Sequence, residues 1–405
     1  MSTTLQPAPA VSAPVSTSRI ASIDIIRGAV MVLMAIDHVR VFSGVPAGGP
    51  TPAVFFTRWI TNFCAPAFIF LAGTSVFFYA RKRSDVSRFL FVRGAWLILL
   101  ELTVLRLSWT FNLDFAHYEM AGVLWVIGWC MILMAGLVKL PLSVSATLGV
   151  IIIAAHNLMD SHLWQLVDGL NAGKFSGLWK ILYFGFYAGP LQFGSDGPNL
   201  IVLYSIVPWI GVMAVGYAFG EILTLEARRR NRICLLLGIG AIALFLVLRG
   251  FNLYGDPRPW SPPTSQHPMP ALLSFLNCTK YPASLNFLLM TLGPTIALIA
   301  LLDHASGPVA RALTTFGRVP FFFYILHIPL IHTLALIVSK LRLGYVSPWL
   351  FANHPMGNPE PPDGYTWSLP LLYAVWAITI AILYFACRWF AHLKSRRNDW
   401  WLKYL

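Results

Sequence analysis

Apolar residues run along this 405-residue chain in about ten blocks near 20–42, 55–80, 89–109, 119–138, 143–159, 199–222, 233–250, 283–302, 317–340 and 367–390. Each is close to the ~20 residues that a helix needs to cross a bilayer. The segments between them are of two kinds. One set is short and basic, with Arg81, Lys82, Arg83 and Arg88, then Lys139, then Arg228, Arg229, Arg230 and Arg232, then Arg311 and Arg318. The other set is long and rich in Gly, Pro and aromatic residues: Ser43–Val54, Asp160–Asn199, Phe251–Pro282 and Leu343–Thr366. Lysine and arginine are retained on the cytoplasmic side, so the short basic turns are expected inside and the long loops outside. Ten crossings then leave both termini in the cytoplasm. The pattern predicts an all-α polytopic membrane bundle of about ten transmembrane helices. Residues 1–18, uncharged and rich in Ala, Pro, Ser and Thr, read as a disordered tail without the basic start and apolar core of a signal peptide. Residues 19–393 form the transmembrane domain, and 394–405 a basic, aromatic cytoplasmic tail.

Composition agrees with this reading. The chain is 57% hydrophobic and 11% charged, with a mean hydropathy of +0.67. A soluble domain is thereby excluded. A net charge of +13 does not indicate nucleic acid, because the cations sit in turns between spans. Cys64, Cys130, Cys234, Cys278 and Cys387 form no CxxC pair, so neither a disulfide framework nor a zinc site is expected.

Polar residues inside apolar spans change the picture most, since a buried charge is costly and usually faces a cavity. The first block, Ile20 to Phe42, carries Asp24, Arg27, Asp37 and His38. At ~100° per residue, Asp24, Arg27, Met31, Met34 and His38 fall on one stripe, with His38 roughly three turns beyond Arg27. Imidazole is the side chain suited to proton transfer near neutrality. The plain alternative is that Asp24 and Arg27 snorkel to headgroups and His38 sits at the far surface. Asp37 cannot readily face His38, because adjacent residues diverge on a helix. A carboxylate partner for His38 is therefore expected from another span.

Elsewhere the second block holds Asn62 and Pro66, where a kink is expected, and the small run Ala72-Gly73-Thr74-Ser75, where a helix can approach closely. The third holds Arg93, Glu101 and Arg106. Glu101 and Arg106 are poorly spaced for each other, so Glu101 is expected to pair with another span or to be protonated. Asn112, Asp114, His117 and Glu119 follow on the outside, available to a polar ligand or simply solvated. His156 closes the fifth block. The ninth carries Tyr324, His327, Pro329 and His332, and Pro329 suggests a local break. His327 and His332 lack the i, i+4 spacing of a helical metal site, and no metal is expected.

Arg27-Gly28 followed after nine residues by His38 resembles the first-helix arginine–histidine motif of the acyltransferase-3 membrane enzymes, and FIFLAGTSVFFYARKR resembles the end of their second helix with its basic turn. SIDIIRGAVMVLMAIDHVRVF, FCAPAFIFLAGTS and GRVPFFFYILHIPLIH are similar to bacterial relatives of heparan-alpha-glucosaminide N-acetyltransferase. The resemblance implies transfer of an acyl group, acetyl above all, from cytoplasmic acyl-CoA to an extracytoplasmic glycan or amino sugar. It also implies a location in the bacterial inner membrane. It assigns the essential pair to His38 and Arg27. It departs from the animal lysosomal enzyme, because Ser43–Val54 holds no histidine where that enzyme carries its active one.

The residues allow such chemistry on their own terms. A thioester is already activated, so a base and a positioned acceptor suffice. His38 can act as that base or carry the acyl group itself. The catalytic candidates are His38, Arg27 and Asp37. The cavity candidates are Asp24, Asn62, Glu101, Asn112, Asp114, His156, Tyr324, His327 and His332. Arg81, Lys82, Arg83 and Arg93 are placed to meet CoA phosphates, although topology alone also puts cations there. A transporter or flippase would suit the same buried charges, without a visible internal repeat to support it. A homodimer remains open.

Overall fold

The computed structural model describes residues 20–48, 51–161, 175–195, 197–265, 269–356, 359–397 and 399. The expected tail at 1–18, and most of that at 394–405, lie outside the described residues.

Each of the ten apolar blocks carries a helix. In chain order these are α1 (Ala21–Ser43), α2 (Pro52–Trp59) continued through a 3₁₀ turn into α3 (Cys64–Ala80), α4 (Val86–Leu100) continued through a π turn into α5 (Arg106–Thr110), α6 (Val123–Leu137) and α7 (Leu142–Ala155). They are followed by α8 (Ile206–Ile222), α9 (Ala227–Gly250), α10 (Leu285–Leu301), α11 (Pro308–Arg318), α12 (Pro320–Leu343) and α13 (Leu369–Arg396). Five described helical segments are long and apolar enough to cross a membrane, and three shorter apolar helices join them. The chain is a multi-pass helical membrane protein. α1 falls outside those five only because its own charged residues interrupt the apolar run.

The structure corrects the all-α expectation. The starts of the blocks at 119 and 199 are strands: β1 (Glu119–Ala121) lies parallel to β3 (Asn199–Val202), and β2 (Leu191–Gln192) pairs antiparallel on its other side. Met120, Ala121, Leu200 and Val202 are buried, so their apolar character belongs to a small sheet rather than to a helix. The block at 317 also begins too early, because the amphipathic α11 ends at Arg318 and α12 starts with Pro320 at its first turn. Pro66 follows directly on the 3₁₀ turn Ile60–Phe63 that interrupts the second span, the departure from regular helix expected there. Pro329 does not end a helix, since α12 runs through it.

Two buried arginines gather the long loops. Arg106 donates to the carbonyls of Tyr118, Asn112 and Asp114 and to the side chains of Thr110 and Asn112 at 2.5–3.1 Å. Its guanidinium lies 4.5 Å from the Phe115 ring centre. Arg249 does the same for the 250s loop, donating to the carbonyls of Arg258, Phe275 and Ser274 at 2.6–3.0 Å. Each cation bonds several carbonyls of loops and helix ends at once, which lowers the cost of burying them.

At the opposite end α1 lies against α11. Contact is so close that a Cβ on Gly28 would run into the Leu313 carbonyl, and one on Gly317 into the Asp24 carbonyl. Small residues permit such backbone approach in membranes. Gly28→Ala is expected to force the two helices apart at a cost of about 1–3 kcal/mol, read as a lower midpoint in a thermal unfolding assay in detergent.

Candidate functional site

α1 delivers polar side chains to two separate cavities. Near its end, Asp37 and His38 line a space of about 640 Å³. Its other walls include Arg40 of α1, Gly44–Ala47 after that helix, Arg58 on α2, Glu101 and Trp109 on the α4–α5 segment, and Trp349, His354 and Pro359–Pro361. Three turns back, Arg27 lines a second space of about 370 Å³ with Ser75 and Tyr79 of α3, Arg93 of α4 and Lys394 of α13. Val123 and Tyr324 border both spaces. The expected stripe is thus split: Met31 and Met34 are packed into the core between its two polar ends.

In the larger cavity, Arg40 Nε donates to Asp37 Oδ1 at 2.8 Å, and the Arg58 guanidinium lies 3.4 Å from the same oxygen. Arg58 in turn donates to Asn62 Oδ1 at 3.2 Å and Thr61 Oγ1 at 2.9 Å. Asn62 therefore acts on the site only by holding Arg58. Asp37 does not contact His38 through a hydrogen bond. The expected carboxylate partner for His38 is replaced by a second imidazole: His38 Nδ1 lies 2.6 Å from His327 Nε2. Trp109 packs edge-on against the His38 ring at 4.9 Å.

Beyond α2, Lys280 stands over the rings of Tyr281 and Tyr204 at 5.2 and 5.9 Å. Burial, with Arg58 next in effect, pushes its ammonium down from the ordinary lysine range. Burial alone would raise the Tyr281 phenol, but Lys280 and Arg58 outweigh it and pull it down. His354 sits at the cavity wall against Trp349, ring centres 3.9 Å apart, and burial pushes its imidazole down to about 3.

In the smaller cavity, Arg27 Nη2 donates to Ser75 Oγ at 2.6 Å and to the Leu71 carbonyl at 3.2 Å. Asp24 lies 3.8 Å from its other amine. The Arg93 guanidinium lies 5.9 Å from the Phe321 ring centre.

The remaining candidates make their contacts within the fold. Glu101 borders the larger cavity, yet its carboxylate accepts the Leu124 amide at 2.9 Å. It thereby satisfies a backbone amide in the first turn of α6. Asn112 and Asp114 line neither of these two cavities: Asn112 donates to the Phe351 carbonyl, and Asp114 accepts from Asn353 at 2.9 Å, with His117 Nδ1 at 2.6 Å. Burial nudges the Asp114 carboxyl up, but the bonds from His117 and Asn353 bring it below the usual range. His156 meets the carbonyls of Ile152 and Ala283. His332 is stacked between Phe42 and Phe111, with Nδ1 on the Ser108 carbonyl. Arg81, Lys82 and Arg83 are exposed past the end of α3 and line neither cavity. Among the described residues, no group of three His, Cys, Asp or Glu side chains is placed to hold a metal.

Sequence reasoning missed Arg58, Lys280, Lys394 and His354 as site residues. Arg58 stands near the start of the second block, Lys280 in the long loop Phe251–Pro282 and Lys394 in the expected tail, so the signal was a cation at the edge of an apolar block.

Glu119 borders the Arg106 cluster, with Oε2 buried and unpaired. Burial raises its carboxyl to about 7, against the pull of Arg106. A carboxyl that keeps its proton in the fold loses stability as pH rises from about 4.5 to about 7, because the unfolded chain ionises first. Melting midpoints measured from pH 5 to 8 are expected to fall with pH, and Glu119→Gln to flatten that slope.

The model of a protein family described as heparan-alpha-glucosaminide N-acetyltransferase, catalytic, matches residues 19–252, more than half of the chain. No match to a curated protein was found.

Proposed function

The chain belongs to the heparan-alpha-glucosaminide N-acetyltransferase catalytic family and is an acetyl-CoA-dependent acetyltransferase; from that premise we propose that it carries an acetyl group through the membrane, from acetyl-CoA on the cytoplasmic side to the amine of an extracytoplasmic amino sugar. The observation that carries this reading is the pair of cavities divided by Val123 and Tyr324. The cationic cavity suits the donor. Arg27, Arg93 and Lys394 face a space of small-molecule size, and cations there attract a phosphorylated carrier. The larger cavity, walled by the long loops, suits the acceptor.

The balance of the reaction assigns His38 its part. The acceptor nitrogen attacks the thioester carbonyl carbon, a C–N bond forms, and the C–S bond breaks. His38 takes the proton that the nitrogen must lose, and the departing sulfur receives it. A base so placed contributes ~10²–10⁴ in rate. Asp37 is bound to two arginines, so in this reading it fixes the end of α1 and leaves the proton to His38. The cationic and anionic groups do not favour a transporter once the chain is placed in an enzyme family.

His38→Ala is expected to lower turnover at least a hundredfold with little change in acetyl-CoA affinity. Arg27→Ala should raise the acetyl-CoA Kd with a smaller effect on turnover. Both are read by isothermal titration and by transfer to a glucosamine-type acceptor, beside a melting curve. Loss of stability with full activity per folded molecule would instead give His38 a packing role.

The orientation has its own test. Cysteines introduced at Ser84 and Thr366 are expected to differ in intact cells, with an impermeant maleimide reaching only Thr366→Cys. Labelling of Ser84→Cys from outside would reverse donor and acceptor sides.

A further inference from the structure

The hydrogen bonds around His38 fix which of its nitrogens is free. His327 Nδ1 lies 2.6 Å from the Tyr324 carbonyl oxygen. A carbonyl only accepts, so Nδ1 carries the hydrogen and donates. A neutral His327 then has a bare lone pair on Nε2. That lone pair faces His38 Nδ1 at 2.6 Å, so the hydrogen between the two rings belongs to His38 Nδ1. His38 Nε2 is left unprotonated on a ring that lines the larger cavity. The direction of every proton follows from one backbone carbonyl.

His327 is fully buried, and packing holds it. Phe323 stacks on it at 5.4 Å and Tyr324 leans against it at 5.2 Å. Its bond to Tyr324 is local to α12, so the helix itself sets the ring before His38 arrives. Trp109 fixes the other face of His38.

We propose that His327 is the positioning residue of this enzyme: it holds His38 in the tautomer whose Nε2 can accept a proton, and it accepts a stronger hydrogen bond from Nδ1 once His38 is cationic. The proposal rests on the reading of His38 as the base. It assigns to a neutral imidazole the place that a carboxylate takes in other histidine-based sites. A carboxylate there would add a full negative charge at membrane depth, whereas an imidazole offers the same acceptor without one. The charges that face His38 are Asp37 and Arg40 from its own helix, Arg58 from α2, and Lys280 from the loop before α10. Cations outnumber anions among them, so an added proton on His38 depends on the hydrogen bond His327 supplies.

The test compares His327→Phe, which keeps a ring but offers no acceptor, with His327→Gln, which keeps one. His327→Leu takes the place of the Phe variant should that one fail to fold. For the acceptor-free variant kcat is expected to fall at least tenfold with the KM for acetyl-CoA unchanged. The acid limb of its kcat/KM profile should move to lower pH, because the protonated base has lost its stabilising partner. His327→Gln should restore part of both. A kcat within twofold of the parent and an unmoved acid limb would overturn the proposal, as would a lower melting midpoint with full activity per folded molecule. His38→Ala, assayed alongside, separates the two readings. If it is inactive while His327→Phe is normal, only the positioning role falls. If it is active, the base itself has been misassigned and the positioning role falls with it.

Discussion

A single carboxylate, Asp37, holds two guanidinium groups near the end of α1. Arg40 comes from one turn later in the same helix and Arg58 from the next. None of the three can be exchanged alone, because removing the carboxylate would leave two cations facing each other in a partly buried space. The cluster thereby ties the end of α1 to α2 and fixes the rotation of α1. That rotation places the next residue, His38, between Trp109 and His327. At the other end of α1 the constraint is steric. Gly28 and Gly317 allow the backbones of α1 and α11 to touch, which sets the height of Arg27 against Ser75. The helix is thus clamped by charge at one end and by close packing at the other, with a cavity beside each clamp.

The same economy governs the long loops. They carry little regular structure, and their carbonyls are gathered by Arg106 and Arg249. The stretch around Phe351 and Asn353 is then tied beside the site by Asn112, which bonds the Phe351 carbonyl, and by Asn353, which bonds Asp114. Polar residues that suggest ligand contacts in sequence here hold loop backbone beside the larger cavity. Their chemistry and their burial would look the same in either role; only their partners distinguish them.

The helices were legible because a bilayer imposes a length and a polarity on a crossing; five described segments meet both, and three shorter apolar helices join them. The small sheet was not, since Met120-Ala121 and Leu200-Ile201-Val202 are as apolar as the helices they precede, and strand pairing joins segments about eighty residues apart. Arg27 and His38 stood out as polar groups in an apolar helix. The division between them did not, because periodicity puts residues on one face but says nothing of what packs against the middle of that face. The partner of His38 was illegible for a related reason. His327 is 289 residues away, and a carboxylate is the usual expectation. Lys394 was read as part of a tail, whereas α13 continues to Arg396 and carries it to the cavity wall.

The wall formed by Val123 and Tyr324 also has an electrical meaning. In the proposed reading, with each cavity open to its own compartment, most of the membrane potential would fall across that layer rather than across the full bilayer. Moving one elementary charge through it would involve about 2.3 kcal/mol for each 100 mV. An acetyl group is neutral and would cross such a field without electrical work, whereas the proton that passes from the acceptor nitrogen to the departing sulfur would not; in this reading each turnover carries one proton toward the donor side and so feels the membrane potential.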